Sequence, residues 1–446
     1  MTMISDQSPI NFQDDLPDST DVVVIGAGVA GISTAWFLTQ MGVRVLVCDK
    51  GRVAGEQSSR NWGWVRQQGR DAAELPIMID SIGLWESISR EVGGDVGFTR
   101  QGIMYLAKND SELAEYDKWL DIARPYQLDS RMLTASEIND QLGQTGSTQL
   151  WKGALFTPSD GRAEPFTAVP AMARNLQSKG VLIRENCAVR CLDIEAGRVA
   201  GVVTEHGRVN APTVVCCGGA WSTLFLGNSG IELPQLTVRS TVARTEPTEE
   251  FFSGAATGAD IAFRRRQDGG YTIAPGGINE HFISLDSFRF FFKFLPVLIE
   301  NSRTIRLPLD ADLIRRLLPT RHWSSEEVSP FEINRVLNPE PSRAGIDNMR
   351  RGLKKYVPAL ADVKFAEIWA GMIDVTPDVV PVMDEIDQCP GLFVATGFSG
   401  HGFGIGPGAG KVMATMIMGK DPQYDLSRFR FSRFSDGSKM VPGPGL

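Results

Sequence analysis

The sequence of 446 residues predicts an α/β fold combined with an α+β region: one domain with a parallel sheet and a second with a mixed sheet. Three observations predict it. The apolar run 22–25 leads into a glycine motif at 26–31 and then into a helical pattern. Buried-strand patterns return far along the chain, at 213–217 and 391–396, so the parallel-sheet domain is expected to be discontinuous. Residues 231–375 alternate short strands with turns, which is typical of a mixed sheet. After the last strand, the glycine-dense segment 397–410 is expected to be a loop that leads into a helix from about residue 409.

The glycine motif, Gly26-Ala27-Gly28-Val29-Ala30-Gly31, predicts a Rossmann-like, dinucleotide-binding first domain. Gly26 allows a tight turn, Gly28 lets the backbone approach a pyrophosphate, and Gly31 lets the helix pack on the strand. The helix at 29–40 would direct its N-terminal N–H groups at the phosphates. The next strand ends at Asp49, where an acid can accept the ribose hydroxyls.

Composition limits the classes of function. The apolar content of 42% and charged content of 22% are those of an ordinary globular protein, and the formal net charge of −8 argues against nucleic acid as a partner. The six cysteines show no paired zinc spacing and the four histidines no HExxH pattern, so no metal site is expected. Reduced thiols in a cytoplasmic protein are expected rather than disulfides.

The length predicts two domains. A polar N-terminal tail, 1–20, has the pattern of neither a signal peptide nor a transmembrane helix. The predicted first domain comprises 21–95, 155–230 and 376–446, and the predicted second domain comprises 96–154 and 231–375. Within the latter, 279–300 is hydrophobic, and its phenylalanine-rich part, 282–299, carries too many charges to span a bilayer. We expect it to be either a peripheral contact with the inner face of the cell membrane or a lid or subunit contact.

Further segments carry a resemblance to a known family. Ser58–Asn61, Thr213–Ser222 and Ala395–Gly410 resemble the D-amino acid oxidase superfamily of FAD enzymes. The segments that resemble bacterial membrane-associated L-amino acid deaminases are Ala54–Ser58, Asn186–Arg190, Gly219–Ser222, Gly227-Asn228 and Asp268–Pro275. The resemblance implies FAD as cofactor and conversion of an amino acid to its 2-oxo acid and ammonia, by hydride transfer from the α carbon to flavin N5.

The resemblance also implies which residues bind FAD. Val189 would contact the adenine through its backbone, and the closing segment around Gly402 would lay backbone N–H groups against the flavin ring. The residues expected to bind FAD are Gly26, Gly28, Gly31, Asp49, Lys50, Gln57, Ser58, Ser59, Arg60, Asn61, Val189, Gly218, Trp221, Gly400, His401, Gly402, Phe403 and Gly404. Sarcosine oxidases attach FAD to a cysteine, but the corresponding position here is Gly371, so non-covalent FAD is expected.

Oxidation of an amino acid requires a fixed carboxylate, for which the planar fork of arginine is well suited. Arg264 aligns with the carboxylate-binding arginine of the deaminases, and strand alternation puts Arg264 and Arg266 on one face. Arg66 and Gln68 are candidates for a second contact, because the segment 59–70 passes near the flavin in the relatives. The alternatives are a solvated strand edge for Arg264 and surface polarity for the other two.

The sequence leaves the substrate and the electron acceptor undecided. Residues 1–20 do not show the pattern of the N-terminal transmembrane helix that such deaminases carry, and Gly397–Gly402 is nearer the sarcosine oxidase type. D-amino acid or secondary-amine oxidation, of sarcosine or proline type, is therefore the alternative reaction, and a non-catalytic flavin-binding subunit is the second alternative. The acceptor is a quinone or oxygen. The oxygen-activating lysine of the oxidases would fall near Thr272, where no lysine stands, so slow reaction with oxygen is expected.

Overall fold

The computed structural model describes residues 3–142, 151–258, 260–302, 304–308, 312–317 and 321–443. Outside it lie residues 1–2 of the predicted tail, 143–150 of the predicted 96–154 segment, 259, 303, 309–311 and 318–320 of the 231–375 segment, and 444–446 of the last segment.

The strands in the described part of the chain are β1 Val22–Ile25, β2 Val45–Cys48, β3 Trp64–Val65, β4 Thr99–Arg100, β5 Ile103–Ala107, β6 Arg131–Thr134, β7 Gly153–Thr157, β8 Gly161–Arg162, β9 Leu182–Arg184, β10 Val189–Glu195, β11 Arg198–Thr204, β12 Gly207–Asn210, β13 Thr213–Cys216, β14 Leu236–Thr245, β15 Ala255–Gly258, β16 Ile261–Arg265, β17 Tyr271–Pro275, β18 Asn279–Glu280, β19 Ile305–Arg306, β20 Phe365–Val375, β21 Val382–Glu385 and β22 Leu392–Thr396. The α-helices there are α1 Val29–Gln40, α2 Gln57–Arg60, α3 Leu75–Val92, α4 Asp110–Ala123, α5 Ala135–Leu142, α6 Ala168–Ser178, α7 Ser222–Asn228, α8 Leu285–Arg289, α9 Phe291–Glu300, α10 Leu313–Leu317, α11 Pro330–Ile333, α12 Arg343–Tyr356 and α13 Gly402–Ile417.

A six-stranded sheet forms the first layer of the fold, in the order β21-β22-β13-β1-β2-β9. Its strands are parallel except β21, which runs antiparallel to β22. The central strands are nearly continuous apolar runs because helices cover the sheet, and α1 packs against α13 and α6. The strands come from three separated parts of the chain, so the predicted Rossmann-like α/β fold is confirmed.

A larger mixed sheet forms the second part, in the order β19-β18-β14-β17-β16-β15-β5-β7-β6, with β20 also paired to β14. Most neighbours run antiparallel, whereas β15 lies parallel to β5 and β18 parallel to β19. The long ladder between β14 and β20 leads from this sheet back to the first domain, because β20 ends just before β21. The predicted fold class, a Rossmann-like domain combined with a second domain that contains a mixed sheet, is therefore also confirmed.

The N-terminal segment packs against the first domain. Phe12 is 1% exposed within the main core, and Gln13 forms an isolated β-bridge with Arg184. The Arg52 guanidinium donates through Nε to the Ser8 carbonyl at 2.8 Å. Residues 3–20 therefore contribute to the packing of the fold, which their polar composition did not suggest.

The closing segment differs from its sequence-based prediction. The glycines of 397–410 predicted a loop with a helix from about residue 409, but α13 already begins at Gly402. The reason is close helix packing: a Cβ at Gly406 would lie 2.5 Å from Val29 Cγ2, and a Cβ at Gly410 would lie 2.4 Å from the Ser33 carbonyl carbon. These glycines let α13 rest on α1.

The phenylalanine-rich segment forms the two helices α8 and α9. Their inner side packs on β14, with Phe290, Phe294 and Val297 in the same buried cluster as Leu236 and Val238. Their outer side exposes Phe288, Phe291, Phe292, Leu295 and Ile299, and Phe292 is 85% exposed. No helix within the described ranges has the length and apolar character needed to cross a membrane.

Candidate active site

A cavity of about 460 Å³ lies at the carboxyl ends of the parallel strands, lined there by Ile25, Cys48 and Cys216. This edge is where open α/β sheets bind their ligands. The mixed sheet closes the opposite side of the cavity through side chains such as Val242 on β14 and Thr257 on β15. The cavity therefore joins the glycine motif to the second domain.

The glycine motif is sterically required. Gly26 has φ +99°, and a Cβ there would lie 2.5 Å from the Cys217 carbonyl oxygen. A Cβ at Gly31 would lie 2.0 Å from the Gly26 carbonyl oxygen, so Gly31 allows α1 to start against the strand. Gly28 lines the cavity directly, and Ser58 Oγ beside it accepts a hydrogen bond from Val29 N at 2.8 Å.

Charged side chains surround this half of the cavity. The partly buried Asp49 carboxylate accepts from Ala27 N at 2.8 Å and from a second backbone N–H; burial raises its pKa, whereas these bonds act in the opposite direction. The Lys50 ammonium donates to Glu56 Oε1 at 2.7 Å and lies 4.4 Å from the ring centre of Trp221. These contacts fix the Asp49 carboxylate in the wall of the cavity.

Most of the expected FAD-binding residues line this one cavity. They are Gly26, Gly28, Asp49, Lys50, Gln57, Ser58, Arg60, Asn61, Val189, Gly218, Trp221, Gly400, His401, Gly402, Phe403 and Gly404. Gly31 and Ser59 do not line it: Gly31 serves the helix contact, and Ser59 Oγ donates to the Glu56 carbonyl at 3.3 Å. The structure thus brings together residues from 26 to 404.

The turn before α13 is held by a buried carboxylate. Asp374 Oδ2 accepts from Gly397 N at 2.7 Å and from Thr396 Oγ1 at 3.2 Å. Burial raises the pKa of Asp374, while these hydrogen bonds lower it. The turn passes through Ser399 and Gly400 at positive φ and presents the N-terminus of α13 to the cavity, where its N–H groups favour negative charge.

At the other end of the cavity, four hydrogen-bond donors meet: Trp64, Arg66, Arg70 and Tyr105, here called the donor cluster. Arg70 is 2% exposed and donates to the carbonyls of Arg66 and His401, both at 3.1 Å, but its Nη1 has no partner within the described structure. The buried Trp64 Nε1 also lacks one. An unpaired buried donor costs about 1–3 kcal/mol, so this end is suited to an acceptor-rich ligand group such as a carboxylate.

The donor cluster is positively charged at neutral pH. Burial, together with the neighbouring charge of Arg66, lowers the pKa of Arg70 to about 9, so its guanidinium remains largely protonated. The Arg66 guanidinium carbon lies 5.7 Å above the Tyr105 ring centre. Burial also raises the pKa of the Tyr105 phenol, which keeps it a donor.

His401 and Glu74 form a buried pair beside the donor cluster. His401 Nε2 lies 3.0 Å from Glu74 Oε1, and the two side chains are 10% and 2% exposed. Burial lowers the pKa of His401, against the opposing effect of the Glu74 carboxylate. Burial also opposes ionisation of Glu74, but His401 and Arg70 outweigh it and lower the Glu74 pKa. The pair is therefore a carboxylate next to a neutral imidazole at pH 7.

The structure separates the three residues expected to contact the substrate. Arg66 lines the cavity, whereas the described lining contains neither Gln68 nor Arg264. Gln68 Oε1 accepts from Thr157 Oγ1 at 2.8 Å. Arg264 is fully buried and paired with Glu164, Nη1 to Oε1 at 3.0 Å.

Two residues of the donor cluster were missed by sequence reasoning. Arg70 follows Arg66 by four residues in the segment already expected near the flavin, and that spacing was an available signal. Tyr105 lies within the apolar strand β5, and no motif surrounds it.

The comparison with known families decides the assignment. The sequence profile described as "DAO: FAD dependent oxidoreductase" matches residues 21–416. The chain belongs to this DAO family. L-amino acid deaminase from Proteus myxofaciens, solved in complex with anthranilate, is similar over 98% of this chain and 100% of that one, with a TM-score of 0.92 and 29% identity. The Proteus vulgaris enzyme gives a TM-score of 0.90 at 29% identity, over 95% and 99% of the chains.

Curated DAO relatives include sarcosine-oxidising proteins. Mouse mitochondrial sarcosine dehydrogenase is 24% identical over 428 residues, which cover 94% of this chain and 42% of the relative. The chain therefore spans less than half of that protein. Sarcosine oxidase subunit beta from Rhodobacter capsulatus is 23% identical over 94% of this chain and 90% of its own. The expected DAO-family, FAD-dependent oxidoreductase class is confirmed.

Proposed function

We propose that this DAO-family protein catalyses the oxidative deamination of an amino acid with FAD held in the cavity. The observation that supports it most is the donor cluster: buried guanidinium and indole donors, with Arg70 Nη1 and Trp64 Nε1 unpaired, in the same cavity as the glycine motif. A carboxylate is the group that satisfies such donors best. The 29% identity with L-amino acid deaminases across the whole chain favours the same substrate class.

The described residues fit FAD. The cradle at Gly26 and Gly28, which a Cβ would fill, suits a pyrophosphate at the N-terminus of α1. Asp49 would accept the ribose hydroxyls, and the Val189 backbone would meet the adenine. The first turn of α13, from Gly402 to Gly404, would lie against the flavin ring.

In the proposed reaction the residues of this chain bind and orient the amino acid. Arg66 and Arg70 Nη1 hold its carboxylate, which fixes the α carbon relative to the start of α13. The chemistry that FAD supplies is acceptance of the α hydrogen with its two electrons; the resulting imino acid reacts with water to give a 2-oxo acid and ammonia. Trp62 and Trp64 cover the cavity with apolar surface and exclude water.

Anaerobic flavin bleaching tests this function. The purified protein, reconstituted with FAD, is mixed with a panel of L-amino acids, their D-enantiomers and N-methyl amino acids. We expect at least one L-amino acid to bleach the 450-nm band, with release of ammonia and a 2-oxo acid on reoxidation. A flavin that no member of the panel reduces would contradict the proposal.

Secondary-amine oxidation is a second candidate function, and the similarity to sarcosine dehydrogenase and sarcosine oxidase subunit beta supports it. The same panel separates the two. Bleaching by sarcosine or proline, with formaldehyde or a cyclic imine as product and no ammonia from L-amino acids, would show that the protein oxidises secondary amines and does not deaminate L-amino acids.

We further propose that the outer side of α8 and α9 contacts a membrane surface and that a quinone is the electron acceptor. Phe288 and Phe292 are 65% and 85% exposed, and Ile299 is 68% exposed. Arg289 in α8 pairs with Glu232, and Lys293 in α9 donates to the Phe434 carbonyl, so the exposed apolar side chains carry the proposal of a bilayer interface. A contact with a second protein chain is the competing explanation, and the vesicle experiment in the Discussion separates them.

A further inference from the structure

We propose that His401 accepts the proton of the substrate ammonium at Nδ1 and that Glu74 is the positioning residue that keeps Nδ1 free to do so. This inference rests on the proposed function, because it concerns the amine of an amino acid whose carboxylate lies on Arg66 and Arg70. An amine must be neutral before its α hydrogen can leave as a hydride, so the ammonium has to lose a proton in the bound state.

The position of His401 carries the inference. Arg70 donates through Nη2 to the His401 backbone carbonyl at 3.1 Å, which places the His401 backbone beside the donor cluster, and the contact of Nε2 with Glu74 Oε1 at 3.0 Å orients the imidazole. His401 also precedes the first turn of α13 and lines the cavity. An α-amino group is bonded to the same carbon as the carboxylate, and therefore lies between the donor cluster and the flavin-facing turn, where the imidazole stands.

Glu74 determines which ring nitrogen carries the proton. Its carboxylate accepts from His401 Nε2 at 3.0 Å, and the Glu74 side chain is buried. A carboxylate accepts but does not donate, so it selects the tautomer with hydrogen on Nε2 and a lone pair on Nδ1. In the described structure no hydrogen bond is formed by Nδ1.

The other groups around the cavity's donor end are poor proton acceptors. Trp64, Arg66, Arg70 and Tyr105 are donors at neutral pH, and the raised pKa of Tyr105 keeps it protonated. The charged groups facing the imidazole are Glu74 from the start of α3 and Arg70 and Arg66 from the segment before it. The two guanidinium charges and burial disfavour an imidazolium, and Glu74 favours one.

The proposed step transfers one proton from the substrate to the imidazole. The N–H bond of the substrate ammonium breaks, its electron pair stays on nitrogen, and the proton forms a bond with His401 Nδ1. The lone pair of the neutral amine then supports departure of the α hydrogen. The proton held on the imidazole leaves to solvent after the product departs.

Nitrogen-15 NMR of histidine tests the ground state without turnover. The chain has four histidines, so the His401 signals are assigned by their loss in the folded, FAD-loaded His401→Asn protein. At pH 7 we expect a neutral ring with hydrogen on Nε2 in the holoprotein, and a mixed tautomer in Glu74→Gln, whose amide can donate to Nε2. An imidazolium at pH 7, or hydrogen on Nδ1, overturns the inference.

Anaerobic rapid mixing tests the proton transfer, with the amino acid that bleaches the wild-type flavin fastest. At pH 7 His401→Asn should reduce its flavin about 100-fold more slowly, as expected for loss of general base catalysis. At pH 8.5 Arg70 is still largely protonated, whereas a much larger fraction of the amino acid is free amine than at pH 7, so the difference should shrink severalfold. Glu74→Gln should show a smaller loss with the same pH dependence, and added imidazole should restore part of the rate in His401→Ala.

The matched control is His206→Asn, because His206 is exposed and lies outside the cavity lining. It should keep the wild-type pH profile. A rate loss in His401→Asn that is equal at pH 7 and pH 8.5 would indicate a structural role and overturn the inference alone. A wild-type flavin that no amino acid reduces would overturn the proposed function and this inference together.

Discussion

Arg264 and Glu164 form a buried bidentate ion pair, with Nη1 3.0 Å from Oε1 and Nη2 3.2 Å from Oε2. Arg162 shares the same carboxylate through a 2.9 Å bond from its Nη1 to Oε1. The pair connects β16 of the mixed sheet to the segment that follows β8. Both terminal nitrogens of Arg264 are held by Glu164, although its Nε has no partner in the described structure, and Arg264 does not line the cavity; Arg70, whose Nη1 is unpaired, does line it.

Substitution of Arg264 should therefore lower the stability of the protein, whereas substitution of Arg70 should weaken binding of the substrate carboxylate. Arg264→Met leaves Glu164 short of one cation and should lower the free energy of unfolding by about 3 kcal/mol, measured by urea denaturation. Its Kd for the amino acid that reduces the wild-type flavin, taken from the concentration dependence of anaerobic flavin reduction, should stay within a factor of about three. Arg70→Met should raise that Kd by about 10- to 100-fold, because a charge-assisted bond is lost. The reverse pattern would make Arg264 the carboxylate ligand.

The contrast between these arginines also shows what sequence reasoning could reach. The glycine motif and its strand and helix are neighbours in the chain, so their spacing alone predicted the dinucleotide end of the cavity. Arg264 was chosen by resemblance, and its partner Glu164 lies 100 residues away, where no local pattern reveals it. The donor cluster likewise depends on Tyr105 meeting Arg66 across the fold.

The start of α13 is a related case. Glycine has low helix propensity, so the sequence predicted a loop up to residue 410; helix packing outweighs that preference here. The helix begins at Gly402 because the glycines allow α13 to approach α1 closely, a contact between segments that are far apart in the sequence.

A methyl group in that helix contact should be costly. In Gly410→Ala the new Cβ would meet Ser33 backbone at 2.4 Å, so α13 has to shift, and we expect a loss of about 1–3 kcal/mol of stability. FAD should also bind more weakly, because Gly402 to Gly404 move with the helix. Gly227→Ala is the matched control: it lies in α7 with open space around it and should be neutral or slightly stabilising. Thermal unfolding measures the stability of each variant, and FAD titration measures its affinity for the cofactor. Equal effects of the two substitutions would contradict the packing explanation.

Asp160 should give the protein a distinctive pH dependence. It is fully buried and accepts from Gln67 N at 2.7 Å and Gln68 N at 3.2 Å, which orders the segment that carries Arg66. Burial outweighs these bonds and raises the Asp160 pKa to about 6. As the pH falls, the native state binds this proton before the unfolded state does, because the pKa of Asp160 is higher in the native state. The ionised carboxylate therefore lowers stability at pH 7, and this loss disappears as the pH falls below about 6.

The expected size of that effect follows from the pKa difference. Between pH 7.5 and pH 5, wild type should gain about 1 kcal/mol in unfolding free energy relative to Asp160→Asn, which does not titrate. Urea denaturation of both proteins at the two pH values measures the difference. A relative loss on acidification would show that Asp160 has a lowered pKa.

The outer side of α8 and α9 should partition onto anionic vesicles. Each exposed phenylalanine that enters an interface contributes about 1.5–3 kcal/mol, so Phe292→Ser should weaken binding tenfold or more, and Phe288→Ser should act in the same direction. Val328→Ser is the matched control, since Val328 is 62% exposed outside these helices. Flotation with phosphatidylglycerol and phosphatidylcholine vesicles provides the measurement. If wild type does not float but forms dimers that Phe292→Ser abolishes, the surface is a protein contact.

FAD should leave the protein when the fold is lost. Gly371 lines the cavity without a thiol, and the Arg60 side chain packs against it, 3.3 Å from where a Cβ would stand. Cysteines do line the dinucleotide half, but burial raises the pKa of the Cys216 and Cys217 thiols, which keeps them protonated and weakly nucleophilic. Acid precipitation should therefore release all flavin into the supernatant, and denaturing mass spectrometry should give the 48.8 kDa apoprotein. A yellow pellet, or a mass increased by one FAD, would show a covalent link that the residue at position 371 cannot form.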